Sequence, residues 1–390
     1  MPNLSRREFV AAAAVAHPAL RALAPGGDFL AAGPTGIAKS ADWPRYAAAT
    51  VIDCLASPGP FNTPARTGAP LTDEMVANAK ASGITAVNVT VSGGGPGHAS
   101  FDSTVTELAY WERELVAHPD VFHKVRTVAD LAQAKRSGRL GLIFGFQDAV
   151  MLEGDVRRLD LFHRFGVKVV QLTYNVRNLL GDGCLEPDDA GLSKHGRDVV
   201  ARMNELGMLV DLAHCGTATT DTAIAASTRP VAITHSGCKA VFDHPRSKTD
   251  ATLRRLADQG GVIGIYLMPF INPAGQPTSA DLIRQLEHAI EVAGEDHVGI
   301  GSDLSITPHR VTPEYERMHR AFVAQRKAAG IAAPREEDYM FVTDLNSPRR
   351  LEQIAERLAS RGHKDARIEK VIGGNFARLF GEVWDSGAPA

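Results

Sequence analysis

The strongest constraint on the fold of this 390-residue chain is the stretch from Leu209 to Ser236. Two apolar, β-branched runs, Leu209-Val-Asp-Leu-Ala-His and Val231-Ala-Ile-Thr-His, each end on a histidine. Between them Thr219–Ser227 has helical character, and Thr228-Arg-Pro punctuates its end. A strand, a helix and a second strand in that order form a parallel unit, because parallel neighbours need a crossover connection. His214 and His235 then emerge at the same carboxyl edge of a sheet, the edge where α/β folds place their chemistry. Two imidazoles on adjacent strand ends are spaced to share one metal ion.

The same alternation runs through most of the chain. Strands are expected at Thr50–Cys54, Ile84–Thr90, Leu140–Gln147, Lys168–Thr173, the two His-tipped segments, Gly261–Leu267 and His297–Asp303. Helical spacing falls between them at Leu71–Ala81, Ser103–Ala117, Thr127–Arg136, Val156–Phe165, Lys194–Leu206, Leu253–Gln259 and Ser279–Ala293. Two further helices, Pro313–Ala328 and Pro348–Ala359, close the chain. Eight strands alternating with helices, with no long linker, predict a single α/β domain over 47–385 built as a (β/α)8 TIM-like barrel. An open, doubly wound sheet is the competing architecture. The barrel is preferred because polar residues sit at the tips of strands three, five, six and eight, which a barrel makes converge.

Composition narrows the function. The chain is 44% hydrophobic with a formal net charge of −3, which points away from disorder and from a nucleic-acid partner. No apolar run approaches the ~20 residues that span a bilayer. Ser5-Arg-Arg-Glu-Phe-Val, a short apolar stretch and an Ala-rich segment make residues 1–33 resemble a twin-arginine export signal, the alternative being a tail with an accidental Arg pair. Export would place the mature protein in the periplasm; a non-functional signal would leave it cytoplasmic. The four cysteines show no CxxC spacing. Three of them, Cys54, Cys215 and Cys238, lie near strand tips, either as small buried residues or as a substitute metal ligand.

The converging set is Gln147, His214, His235 and Asp303, with Tyr174 and Arg246 on neighbouring loops. Two imidazoles with an oxygen ligand and water suit Zn²⁺, which acidifies water and polarises a carbonyl. Asp303 can serve as general base, or cap a helix or brace a loop. Arg246 can grip a substrate carboxylate with its planar fork, or be a surface charge.

Several motifs resemble the renal (membrane) dipeptidase family: Asp211-Leu-Ala-His-Cys, Thr234-His-Ser, Gly299-Ile-Gly-Ser-Asp, Gln171-Leu-Thr-Tyr-Asn, Gly191-Leu-Ser with Gly196, and Gly373-Gly-Asn-Phe-Ala-Arg-Leu-Phe. They run in the family's order across roughly residues 50–382. The resemblance implies an amidohydrolase-type barrel, a zinc cofactor, a dipeptide or similar small amide as substrate, and a homodimer, as family members commonly form. It assigns His214 and His235 to the second zinc site, Asp303 to the acid/base and Arg246 to the substrate carboxylate. The first zinc site is absent as the family builds it, because Leu55 and Ser57 stand where its His-x-Asp pair should be. Gln147 replaces the bridging glutamate and is a weaker ligand; Tyr174 replaces the oxyanion-binding histidine and can still donate a hydrogen bond. The expectation is therefore a one-metal hydrolase. The alternative is a non-hydrolytic or silent barrel that binds or modifies a small peptide-like ligand.

Overall fold

The computed structural model describes residues 43–62, 68–92 and 99–385. The export-signal segment, 1–33, lies outside the described residues.

Eight parallel strands close on themselves. In chain order they are β1 (Ile52–Asp53), β2 (Ala86–Thr90), β3 (Leu140–Phe146), β4 (Val167–Gln171), β5 (Leu209–Asp211), β6 (Ala232–Cys238), β7 (Val262–Ile265) and β8 (Val298–Ile300). Each pairs with the next, and closure comes where Asp53 of β1 registers with Ile300 of β8. The (β/α)8 expectation holds, and the open sheet is excluded.

The helices form where the pattern puts them. Lys194–Leu206, Ser279–Ala293 and Pro313–Ala328 have the expected bounds. Ser193 caps the first of these through Gly196 N–H, and Gly207 ends it in the left-handed conformation at φ 63°. Among the described residues no helix is long and apolar enough to cross a membrane.

Several strands stop short of the expected tips, and the two His-tipped ones differ in opposite ways. β5 stops at Asp211 rather than running to His214, because the Asp211 carboxylate accepts Ala213 N–H (3.0 Å) and turns the chain. β6 runs past His235 to Cys238, prolonged by parallel pairing with Ser247–Lys248.

The amino-terminal end of the barrel is shut by the last helix, Asn375–Trp384. Ile52, Ala86, Ile143, Val169, Leu209, Ala232 and Val262, one residue from each of seven strands, cluster with Phe376 and Phe380. On the eighth strand Gly299 leaves room for the Phe376 ring, 2.5 Å from where a Cβ would stand. The closed floor leaves the carboxyl end as the place for a site.

Candidate metal and catalytic site

His214 and His235 meet at that carboxyl end, both buried, with Nε2 atoms 2.9 Å apart. Their outer nitrogens are fixed by second partners. Asn175 donates its amide N–H to Ile331 O (2.8 Å), so its Oδ1 is turned to His214 Nδ1 at 2.6 Å. Nδ1 of His214 therefore carries the proton. At His235, Nδ1 lies 2.8 Å from Thr234 Oγ1, and that hydroxyl gives its proton to Asp211 Oδ2 at 2.6 Å. The hydroxyl can only accept from His235, so Nδ1 is protonated there too. Both Nε2 lone pairs consequently face each other with no hydrogen between them. Such an arrangement is repulsive unless a cation lies against it.

The electrostatics keep the pair ready for one. Burial, followed by the charge of Arg246, holds both imidazoles well below their ordinary pKa, so they are neutral near pH 7. Neutral imidazole is the ligand form. Ligands at about 2.0–2.1 Å from one zinc ion can be at most about 4.2 Å apart, and the 2.9 Å separation satisfies that limit. The outer partners are those that metal-binding histidines use to fix their tautomer. The donor set fits a metal as a two-nitrogen pair. Among the described residues no group of three or more His, Cys, Asp or Glu side chains is placed to hold an ion.

The cysteines supply no third ligand. Cys215 Sγ accepts from Thr173 Oγ1 at 3.3 Å and Cys238 Sγ bonds Gln285 O at 3.6 Å. Cys54 is wholly buried, and burial raises its thiol well above the ordinary range. Leu55 is buried and gives its carbonyl to Asp303 N–H (2.8 Å), while Ser57 pairs in a short parallel bridge with Ser305. Gln147 follows β3 and is buried; its backbone carbonyl accepts from the Gln171 amide.

Asp303 follows β8 in the left-handed region at φ 63°, uncommon for a non-glycine residue and frequent at functional sites. The corner is held from two sides: Asp303 N–H donates to Leu55 O, and Asn62 Nδ2 donates to Asp303 O at 2.8 Å. Behind it the buried Asp53 accepts Ser302 N–H at 2.7 Å. Burial raises the Asp303 carboxyl to about 7, against the pull of Arg246 and Arg326. It caps no helix; the next helix begins at Pro313 and is capped by Thr312.

Arg246 is 2% exposed, which excludes a surface charge. Its Nη1 donates to Ala213 O (2.6 Å) and its Nη2 to His235 O (3.3 Å), so it braces the loops bearing both histidines. Tyr174 stacks on His214, ring centroids 4.1 Å apart and 24° from parallel. Two buried cations were not singled out from the sequence. Arg326 lies 5.5 Å above the Tyr174 ring, and Lys248 bonds Cys215 O (2.6 Å) and Thr220 Oγ1 (3.1 Å). Burial lowers Lys248 to about 8.

The sequence pattern of the membrane dipeptidases, Peptidase family M19, matches residues 71–314, well over half of the chain. The chain belongs to this family. Dipeptidase tcpJ of Claviceps purpurea is 30% identical over 296 residues, covering 75% of this chain and 62% of that protein. Dipeptidase verJ of Clonostachys rogersoniana is 31% identical over 208 residues, 53% of this chain and 54% of the relative. The chain thus spans less than two thirds of the length of these two family relatives. Among solved structures, an amidohydrolase from Pseudomonas aeruginosa superposes with a TM-score of 0.74 at 30% identity, covering 87% of this chain and 98% of that one. A Rhodobacter sphaeroides metallopeptidase bound to a phosphinate mimic of the dipeptide L-Ala-D-Ala shares the fold at 19% identity, TM-score 0.66, over 79% of this chain and 90% of that one. His214, His235, Arg246 and Asp303 all lie within the family match, whereas Arg326 lies beyond it.

Proposed function

We propose that this protein is a metal-dependent hydrolase of dipeptides or similar small amides, working with one zinc ion held by His214 and His235. The observation that carries the reading is the pair of Nε2 lone pairs fixed face to face at 2.9 Å by Asn175 and the Thr234–Asp211 relay. Zinc held there by His214 and His235 would supply Lewis acidity toward water and the scissile carbonyl. Asp303, whose carboxyl burial raises in the metal-free protein, would take a proton from the attacking water and return it to the leaving amine. Arg246, buried beside the histidines with backbone carbonyls as partners, places a positive charge where the substrate carboxylate docks. Tyr174 offers a phenolic O–H to the carbonyl oxygen, and burial keeps it protonated by raising its pKa. Gln147 or water would fill the rest of the zinc sphere, Gln147 as a weak, neutral oxygen ligand. Export through residues 1–33 to the periplasm belongs to the same reading.

The test is metal content per chain in purified wild type and His214→Ala, joined to hydrolysis of L,L- and L,D-dipeptides. One equivalent of zinc, lost in the variant together with turnover, is the expected result. Two tightly held equivalents would remove the one-metal reading. A metal-free wild type that binds dipeptides without cleaving them would replace hydrolysis with ligand binding.

A further inference from the structure

We propose that Arg326, locked in place by Glu336, is a positioning residue that holds the Tyr174 ring against His214 from the helix that follows β8. The proposal rests on Tyr174 belonging to the site described above.

Tyr174 has two partners. Its ring stacks on the His214 imidazole with centroids 4.1 Å apart, and the Arg326 guanidinium lies 5.5 Å from its centroid and also hydrogen-bonds the phenol. A guanidinium prefers the negative face of an aromatic ring, and the preference strengthens away from water. Arg326 and Glu336 are both buried. Their contact is a two-pronged fork: Nε to Oε2 at 2.6 Å and Nη2 to Oε1 at 2.7 Å. Glu336 is itself anchored by accepting Ala333 N–H at 2.9 Å. The guanidinium plane is therefore set before any ligand arrives.

One carbonyl ties this clamp to the histidine. Ile331 O accepts from Arg326 Nη2 (3.2 Å) and from Asn175 Nδ2 (2.8 Å), and Asn175 fixes the proton on His214 Nδ1. The segment from 326 to 336 thus aims both stacked rings. Its charge also reaches Asp303, where Arg326 follows Arg246 among the groups that pull the carboxyl down. Replacing Arg326 leaves Glu336 buried without its partner, so the clamp opens as a unit.

The experiment uses the full chain labelled with 3-fluorotyrosine, in which six tyrosines give six ¹⁹F signals. Tyr174→Phe assigns the Tyr174 signal, and circular dichroism checks that each variant is folded. Arg326→Met and Glu336→Gln should both shift or broaden that signal, leaving those of Tyr46 and Tyr110 in place. Arg326→Lys keeps a charge over the ring without the fork and should recover part of the shift. On dipeptide hydrolysis, Arg326→Met should lower kcat by roughly 10–100-fold with KM within about threefold. In a Tyr174→Phe background the same change should cost no more than about twofold, because the two residues act as one unit. An unmoved Tyr174 signal in folded Arg326→Met and Glu336→Gln, or additive kinetic losses, would overturn the proposal. Should the wild type hydrolyse no dipeptide, the functional reading fails, while the ¹⁹F signals still decide whether Arg326 positions Tyr174.

Discussion

Replacing Asp303 with Asn should stabilise the metal-free protein, increasingly so as pH rises, while removing its activity. The carboxyl is 6% exposed and titrates near 7, whereas the unfolded chain has it at 3.8. The cause is burial, only partly offset by Arg246, Arg326 and Asn62. A carboxyl raised in the folded state favours folding while both states are protonated, below 3.8. It loses that contribution as pH climbs toward 7, because the unfolded chain releases its proton first. Linkage is worth about 1.4 kcal/mol per pH unit between the two values. The wild type therefore forfeits about 1.5 kcal/mol at pH 5 and about 4 kcal/mol at pH 8, both order-of-magnitude figures. Asn has no proton to lose and tolerates the left-handed backbone at φ 63°. The measurement is urea unfolding of chelator-treated wild type and Asp303→Asn at pH 5 and pH 8. Comparing the proteins at each pH cancels every other titrating group. Stripping the metal matters because a bound cation would pull the carboxyl down. The expected gain from the substitution is about 2–3 kcal/mol larger at pH 8 than at pH 5. Zinc-loaded Asp303→Asn should lose roughly 10²–10⁴-fold in kcat/KM. Equal stability differences at the two pH values, within about 0.5 kcal/mol, would refute the buried, raised carboxyl and with it the acid–base assignment.

Three further outcomes follow from the same geometry. Thr234→Val removes the hydroxyl between Asp211 and His235 while keeping side-chain shape, and should weaken zinc binding about 10–100-fold by chelator competition. Gln147→Glu brings a carboxylate to the end of β3 and should tighten zinc binding by at least about tenfold; unchanged affinity would place Gln147 outside the coordination sphere. Gly301→Ala would set a Cβ 1.9 Å from Thr234 O, a backbone atom that cannot step aside. It should cost about 3 kcal/mol or more in denaturant unfolding and displace His235; an unperturbed variant would contradict the close approach of β6 to β8.

Much of the barrel was legible because its signals are local. β-branched runs alternate with helical spacing, and the ends of Lys194–Leu206 are written in Ser193 and Gly207. The histidine pair was legible for the same reason, since direction alone sends two consecutive parallel strands to one edge. What escaped depends on contacts across the chain. β5 ends at Asp211 because that carboxylate turns the backbone and also accepts Thr234 N–H (2.9 Å), 23 residues away. Arg246 offers no sequence signal separating a buried brace from a surface charge. Arg326 sits beside Lys327 in the last turn of its helix, where basic residues are expected simply to complement the helix dipole. Only the Glu336 fork, ten residues on, turns it inward.

The bracing of the histidines also favours the proposed ligand pair over a packing pair. Two neutral histidines that merely filled space would satisfy each other, one ring N–H donating to the other ring's bare nitrogen, and would need no outside help at those atoms. Here both outer nitrogens are committed elsewhere, at 2.6 Å to Asn175 and 2.8 Å to Thr234. The cost of burying a carboxylate to arrange this is real, since burial raises the Asp211 carboxyl above its ordinary range. That carboxylate is held by three donors, Ala213 N–H, Thr234 N–H and Thr234 O–H, all of which also shape the two histidine loops. A packing role gains nothing from two lone pairs directed at each other. A cation-binding role requires it, and a bound cation would supply the positive charge that the facing nitrogens lack.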